Sequence, residues 1–249
     1  MVSVDIQISV VCAVRNARHT IDGMLTSYRR ERSTRTELII VDAVSTDGTL
    51  DVLRANNDCI DQLISEPDQG IYDAWNKGVA LSRGRYVAFI GADDRIAGRS
   101  LEVLCDACMS HPRADFIHGF NVLTRSGIPV RLLGRSFDRR RMMRRMLVAH
   151  VLAAHRRDWL DRLGGFDISY RSAADYDLLL RAVDSAEVLE VAQVLAYVET
   201  GGISLTGSLP FRETYRAQVR NGSGRLLAGA MFLRGMAGWM ARRTLEVVR

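Results

Sequence analysis

The strongest constraint on the fold is a short apolar run that ends in two carboxylates. Tyr86–Ile90 reads YVAFI, and its length and β-rich content are typical of a strand buried on both faces of a parallel sheet. Gly91, Ala92, Asp93 and Asp94 follow directly. Ligands bind at the carboxyl ends of strands in open α/β sheets, and paired carboxylates there suit a divalent cation bridged to phosphates. On spacing alone, a solvated turn explains the two aspartates equally well.

Strands and helices alternate through the first part of the chain, which predicts a mostly parallel sheet with helices on both faces. The predicted strands before Tyr86 are Ile6–Val14, Glu37–Val41 and Leu63–Ser65. One predicted helix ends at Ser27, and a second begins near Thr49 after a cap at Thr46 or Asp47. A third covers Tyr72–Ser82, and Gly84 is expected to end it in a left-handed conformation. Right-handed crossovers then place the strand ends along one edge, at Asn16, Asp42, Ser65 and Asp94.

The alternation weakens in the second half of the chain. The patterns predict helices at Leu101–Ser110, Arg156–Leu163 and Ala173–Val183, a hairpin of Asp115–Leu123 with Ile128–Leu133, and strands at His150–His155 and Val188–Val198. Pro210 is the best candidate boundary. We therefore predict one domain over residues 1–208 and a basic helical tail over residues 209–249.

The positive charge is confined to two segments, although the net charge of the 249 residues is only +5. Residues 131–145 and residues 209–249 are both strongly rich in arginine, which indicates contact with an anionic surface or ligand. The arginine-rich stretch 131–145, expected to be helical, could hold a lipid diphosphate or be a solvated helix face. The tail could lie on a membrane surface, pack on the domain or form a homodimer contact. No nucleic-acid partner is predicted, because no basic motif with interleaved aromatic residues occurs.

The sequence predicts a cytoplasmic protein, with peripheral attachment to the inner face of the cell membrane as a further option. Residues 1–7 lack the basic start of a signal peptide, and no apolar run reaches the roughly 18 residues of a membrane span. Cys105 and Cys108 form an isolated CxxC pair. A zinc site would need matching ligands elsewhere, so two buried thiols on one helix face are expected.

Several motifs together resemble those of family 2 glycosyltransferases, which are inverting enzymes of the GT-A fold. These motifs are SVVCAVRN with a later IIVDAVSTDGT, SEPDQGIYDAWNKGV, the strand ending in GADD, and GGFDISY before ADYDLLLR. The resemblance covers roughly Ile6 to Ser204. It implies a Rossmann-like sheet, a nucleotide-diphosphate sugar donor such as a UDP- or GDP-sugar, Mg²⁺ or Mn²⁺, and a glycan or lipid-linked acceptor.

The resemblance also assigns roles to residues by position. It implies that Asp94 ligates the metal, that Asp93 faces the ribose, that Asp42 reads the base and that Asp175 is the general base. The remaining nucleotide-sugar-binding positions are Ala13, Val14, Asn16, Asp68, Gly70, Asn76 and Lys77. His150 and Arg156 are candidates for contacting the acceptor or the diphosphate. For Asp175, a helix cap is the structural alternative.

Two departures from the family pattern affect the nucleotide end of the site. Ala13-Val14 replaces the usual Pro-Thr, and Ala43-Val44 replaces an Asp-Gly or Asp-Asp. These changes leave the base unassigned. A nucleotidyltransferase shares the α/β plan and metal carboxylates but normally carries a Gly-rich phosphate loop, and residues 11–17 contain no glycine. A non-catalytic sugar- or lipid-binding member of a glycan-assembly complex is the other alternative.

Overall fold

The computed structural model describes residues 5–201 and 207–247, with side chains to residue 240. The first four residues and Ser204, where the family resemblance ends, lie outside the described residues. Within the described ranges one sheet of nine strands forms. Its strands are β1 (Ile8–Val14), β2 (Thr36–Asp42), β3 (Gln62–Ser65), β4 (Tyr86–Gly91), β5 (Arg95–Ile96), β6 (Phe116–Arg125), β7 (Ile128–Leu133), β8 (Ala154–Arg156) and β9 (Val188–Glu199).

The α-helices lie between and after these strands. They are α1 (Ile21–Glu31), α2 (Thr49–Ala55), α3 (Ile71–Leu81), α4 (Ser100–Ser110), α5 (Arg139–Met142), α6 (Arg157–Arg162), α7 (Ala174–Arg181), α8 (Leu209–Arg220) and α9 (Arg225–Val247). Within the arginine-rich stretch only α5 is helical, so this helix is shorter than predicted. Asp47, a predicted cap of α2, accepts hydrogen bonds from the Thr49 amide at 3.0 Å and the Thr49 hydroxyl at 2.5 Å.

The first part of the sheet has the predicted parallel arrangement, in the order β3-β2-β1-β4. Val14 pairs with Asp42, and Asp42 pairs with Ser65. Ala13 pairs with Gly91 at the end of β4. The carboxyl ends of these strands therefore meet at one edge of the sheet, as the crossover rule predicts.

The second part of the sheet departs from simple alternation. β8 lies antiparallel between β4 and β6, and β9 runs parallel to β6 on the far side. β5, which the sequence did not predict, pairs antiparallel with β9 immediately after the two aspartates. The β6–β7 hairpin forms as expected.

Each face of the sheet carries its own apolar core. Val11, Ile39 and Phe89 pack on the side of α3 and α7. Val10 and Leu38 pack on the side of α1 and α4, together with the free, buried Cys105 and Cys108. This two-sided burial explains why the parallel strands read as continuous apolar runs.

Gly84 has a different role from the one predicted. α3 ends at Leu81, and Gly84 keeps a φ outside the left-handed region. A Cβ atom at Gly84 would lie 2.6 Å from the backbone nitrogen of Ser9. The glycine is therefore required by the close approach of two backbone segments.

The predicted boundary at residue 209 does not separate α8 from the domain. Ala217 and Gln218 of α8 are buried, and the Gln218 amide donates to the Arg144 carbonyl at 2.9 Å. Asn221 donates to Asp177 of α7 at 3.0 Å. α8 is thus held by the domain, whereas α9 extends beyond it. None of the helices in the described part of the chain combines the length and apolarity needed to cross a membrane.

Candidate functional site

Two carboxylates converge above the end of β4. An ideal Cβ atom at Gly91 would lie 2.8 Å from Asp93 Oδ1 and 2.9 Å from Asp94 Oδ2. Any larger residue at position 91 would displace one or both side chains. Asp94 is buried, and its Oδ2 accepts a hydrogen bond from the Gly91 amide at 3.1 Å. Its Oδ1 accepts one from the Glu199 amide at 3.2 Å, which ties the turn to β9.

The electrostatics of this turn favour a bound cation. Burial, together with the neighbouring charge of Asp93, raises the pKa of Asp94 to about 7. Across residues 5–201 and 207–240, no cluster of three or more histidine, cysteine or acidic side chains could hold a metal ion. The two carboxylates nevertheless fit Mg²⁺ or Mn²⁺, because such ions are often held by one or two carboxylates with phosphates and water.

Arg95 and Gly23 support the turn, and the sequence did not single them out. The Arg95 guanidinium donates to the carbonyl oxygens of Asp93 at 3.1 Å and Asp94 at 2.8 Å. The same guanidinium lies against Gly23 of α1, where a Cβ atom would come within 2.1 Å of it. A glycine on α1 thus makes room for the arginine that holds both carbonyls.

Asp42 lies at the end of β2, at the same edge of the sheet as this turn but with β1 between them, and one of its oxygens has no hydrogen-bond partner in the described residues. Its Oδ2 accepts from the Ser65 hydroxyl at 2.6 Å and the Ser45 amide at 3.0 Å. Its Oδ1 is buried without a hydrogen-bond partner in the described structure. An unpaired buried acceptor suits an N–H donor of a nucleotide base. Because the side chain has no exposed surface, a base would reach it only after local rearrangement.

The loop after β1 joins the predicted nucleotide end. Asn16 takes a left-handed φ of 50°, and its side-chain oxygen accepts from the Thr46 amide at 2.9 Å. Val14 is buried and Ala13 is half-buried. Val44 adopts a φ of 51°, which glycine takes freely and a β-branched residue takes only at a cost. The structure therefore brings residues 13, 14, 16 and 42 together at this edge.

The loop before α3 is shaped by its own polar residues. Asp68 accepts a hydrogen bond from the Gly70 amide at 2.9 Å, and Gly70 has a φ of 124°. Lys77 donates to the Pro67 carbonyl at 2.6 Å and pairs with Glu66 at 2.9 Å. In the structure the Lys77 ammonium holds this loop, and donor binding by Lys77 stays a prediction.

Asn76, also predicted to bind the donor, holds another turn in the structure. Its amide nitrogen donates to the Phe166 carbonyl at 2.8 Å, and its amide oxygen accepts from the Phe166 amide at 2.9 Å. Gly165 packs directly against the same side chain. Asn76 thus fixes the Gly-Gly-Phe turn, and both of its polar ends are occupied.

Asp175 lies in the first turn of α7 and is half-buried. Its Oδ1 accepts a hydrogen bond from the Tyr72 hydroxyl at 3.2 Å. The Tyr72 ring in turn stacks on Phe166 with centroids 5.7 Å apart. By contrast, Asp177 is fully buried and bonds to Arg181 and Asn221, so it has a structural role.

His150 packs against β4 and α3. Its ring stacks on Trp75 at 5.3 Å and on Phe89 of β4 at 5.8 Å. Its Nε2 lies 3.1 Å from Nε2 of His155, whose Nδ1 is buried without a partner in the described residues. Burial lowers the pKa of both histidines, and the charge of Asp175 acts in the opposite direction on His150.

The hydrogen-bond network assigns the tautomers of this pair. If His155 donates from Nε2, its unpaired Nδ1 carries no proton, and His150 keeps its proton on Nδ1. The reverse arrangement would bury an unpaired N–H on His155, which costs more than an unpaired acceptor. His155, which the sequence did not single out, thus leaves His150 with a donor on its other nitrogen.

Arg156 lies away from this site and is corrected as a candidate. It pairs with Tyr86 at the amino end of β4, five residues before Gly91, which is roughly 17 Å along a strand. Its guanidinium bonds to Asp115 and Asp158 at 2.8 and 2.7 Å. Arg156 therefore forms structural ion pairs.

Comparison with known proteins agrees with this geometry. Residues 9–160 match the glycosyl transferase family 2 profile. A PGL/p-HBAD biosynthesis glycosyltransferase of Mycobacterium bovis is 27% identical over 205 residues, which cover 80% of this chain and 79% of that protein.

Two solved structures share the fold. TarS residues 1–349 of S. aureus, in complex with UDP-GlcNAc, superposes with a TM-score of 0.73 at 17% identity, covering 91% of this chain and 70% of that chain. The mannosyltransferase PcManGT of Pyrobaculum calidifontis, with GDP-Man and Mn²⁺, superposes at 0.65 and 16% identity, covering 99% and 82%. The chain has the GT-A architecture and, by its sequence match, belongs to glycosyltransferase family 2.

Proposed function

We propose that the protein transfers a sugar from a UDP- or GDP-sugar to a hydroxyl group of a glycan or lipid-linked acceptor, with inversion at the anomeric carbon. One observation carries this proposal: the paired carboxylates at the end of β4 and Asp175 on α7 lie around a shared aromatic cluster. His150 stacks on Phe89 of β4 and interacts electrostatically with Asp175. Tyr72 reaches Asp175 from the other side.

Asp93 and Asp94 would hold the divalent cation. A bound Mg²⁺ or Mn²⁺ supplies stabilisation of the charge that develops on the departing diphosphate. Asp42, with Asn16, Ala13 and Val14, lies where the nucleoside would bind. Asp68 and Gly70 form the loop that borders the donor on the α3 side.

Asp175 is the proposed general base. The acceptor oxygen bonds to the anomeric carbon, the bond from that carbon to the diphosphate oxygen breaks, and the hydroxyl proton passes to the Asp175 carboxylate. Asp175 lies in the first turn of α7, where the helix dipole favours a negative charge. A carboxylate on the side opposite the leaving group is what a single inverting displacement requires.

A thermal-shift screen tests the donor assignment. We expect one set of nucleotides, either uridine or guanosine diphosphates and their sugars, to raise the melting temperature with Mn²⁺ and not with EDTA. A ligand at 100 times its Kd adds about 2.7 kcal/mol to the free energy of unfolding. Equal shifts with and without the metal would contradict metal-assisted binding. No shift with any nucleotide sugar would favour the non-catalytic alternative, whereas binding of nucleoside triphosphates alone would favour a nucleotidyltransferase.

The acceptor side of the proposal includes a membrane surface. α9 packs on α8 through Gly235 against Phe211, and it leaves Leu226 and Leu233 exposed at 93% and 67%. Exposed leucines next to arginines suit an anionic bilayer, where the guanidinium groups reach the headgroups.

Deletion of residues 225–249 should therefore release the protein from anionic liposomes in a sedimentation assay and leave its melting temperature nearly unchanged. The cut is placed after α8, because α8 is part of the packed domain. A matched control replaces Arg54, an exposed arginine on α2, by serine and should bind liposomes normally. Undiminished binding by the truncated protein would contradict the membrane role, and a change from dimer to monomer would assign α9 to a homodimer contact instead.

A further inference from the structure

A buried glutamate on α8 holds the loop that leads into α7. Glu213 is only 7% exposed. Its Oε2 accepts hydrogen bonds from the amides of Ser172 at 2.7 Å, Arg171 at 3.1 Å and Ala173 at 3.1 Å. Its Oε1 accepts a further bond from the Arg171 amide at 2.9 Å. Three consecutive backbone donors thus converge on one carboxylate.

These hydrogen bonds are what stabilise the buried charge. A carboxylate removed from water is costly unless it is paired or hydrogen-bonded. None of the ion pairs in the described part of the chain includes Glu213, so the backbone amides supply the compensation. Moving the loop would leave the Glu213 carboxylate without its hydrogen-bond donors, so these bonds strongly favour one position of the loop.

The loop is the immediate support of Asp175. Ala173 is the N-cap of α7, and no side chain of its own caps the helix. Glu213, on a helix 40 residues later in the chain, instead accepts the backbone amide of this N-cap residue. Asp175 follows two residues after the last amide that Glu213 binds, so its position depends on where that amide is held.

α8 itself is well anchored, which makes Glu213 a fixed point. The Arg216 guanidinium lies 4.3 Å from the centre of the Tyr170 ring, and Gln218 donates to Arg144 and to the Tyr176 hydroxyl. Both anchors follow Glu213 on α8, three and five residues later. The helix therefore holds the carboxylate rigidly against the amides of residues 171–173.

We propose that Glu213 is a positioning residue that orients Asp175 for proton abstraction, so that α8 completes the catalytic site. This inference rests on the proposed role of Asp175. It places part of the site beyond the region matched by the family profile, which ends at residue 160.

The test is Glu213→Gln, with Glu37→Gln as a matched control. Both are buried glutamates that accept a backbone amide, but Glu37 bonds to Arg83 near the amino end of β2, at the opposite edge of the sheet from the site. In Glu213→Gln, we expect the release of nucleoside diphosphate from the sugar donor chosen by thermal shift to slow at least tenfold. The Kd of UDP or GDP with Mn²⁺ should stay within about twofold. Glu37→Gln should lower the melting temperature and leave turnover within twofold, well below the unfolding temperature.

Hydrogen exchange gives a readout that needs no turnover. The amides of Arg171, Ser172 and Ala173 should lose protection in Glu213→Gln and keep it in Glu37→Gln. Unchanged protection of these amides, or unchanged turnover despite lost protection, would overturn the proposal.

A double-mutant comparison separates this proposal from that for Asp175. If both hold, Glu213→Gln should add little to the loss already caused by Asp175→Asn, because both act on one proton transfer. If Asp175→Asn is active, the proposed function itself fails, whatever the result for Glu213→Gln. If Asp175→Asn is inactive and Glu213→Gln is normal, only the positioning role fails.

Discussion

Replacing Asp175 by asparagine should slow sugar transfer by about 100- to 10,000-fold, the usual contribution of a general base. Asparagine keeps the shape of the side chain and one oxygen that can accept the Tyr72 hydrogen bond. An amide does not take up a proton at neutral pH, so the base function is lost while the local structure is kept. The affinity for nucleotide with Mn²⁺ should be unchanged, since Asp175 does not belong to the paired carboxylates at the end of β4.

The measurement is turnover with a competent acceptor, together with nucleotide affinity by calorimetry. Asp177→Asn is the matched control, because the same substitution two residues later removes a buried partner of Arg181 and Asn221. We expect that control to lower the melting temperature more than Asp175→Asn does. A loss below about tenfold in Asp175→Asn would leave Asp175 as a structural residue and direct attention to His150.

Asp94→Asn should reduce nucleotide-diphosphate binding in Mn²⁺ to the level measured in EDTA. The substitution removes one of the two negative charges that converge above Gly91 and replaces a carboxylate oxygen with an amide nitrogen that does not bind a cation. Binding in EDTA should be the same for the variant and the parent protein. Asp51→Asn, at an exposed carboxylate on α2, is the matched control and should behave like the parent.

Gly91→Ala tests the same site without removing a charge. A methyl group would lie within 3 Å of both carboxylates, so we expect Mn²⁺ affinity to fall by roughly 10- to 100-fold, as for other changes that misplace metal ligands. Normal Mn²⁺-dependent binding by both Asp94→Asn and Gly91→Ala would show that the carboxylate pair does not hold the metal. Loss in Asp94→Asn alone would show that the turn can adapt to a side chain at position 91.

Local patterns in the sequence were sufficient for the elements that border the site. The apolar run at Tyr86–Ile90 predicted a strand buried on both faces, and the structure confirms it. The crossover rule placed Asp42, Ser65 and Asp94 at one edge, where the register of β1, β2, β3 and β4 puts them. Periodicity and chain direction determine these features, and both can be read over a few neighbouring residues.

The motif resemblance pointed to several residues but could not determine the interaction partners of their polar groups. Asn76 and Lys77 belong to a family motif, yet their polar groups hold Phe166 and the loop at Pro67. Arg156 forms ion pairs with Asp115 and Asp158 at the other end of β4. A motif records which residue types occur together, whereas the partner of each polar group depends on which segments approach it.

Glu213 is a residue whose contacts follow from the tertiary structure and not from the sequence alone. In the sequence it is one of two acidic residues in a basic tail, and charge patterning assigns that tail to a surface. In the structure it is buried against the amides of residues 171–173, about 40 residues earlier in the chain. Composition and periodicity determined the strands, the helices and the edge at which ligands bind. Only the folded chain decided which buried polar groups satisfy one another, because desolvation makes each of them pair with whatever donor or acceptor the packing brings within reach.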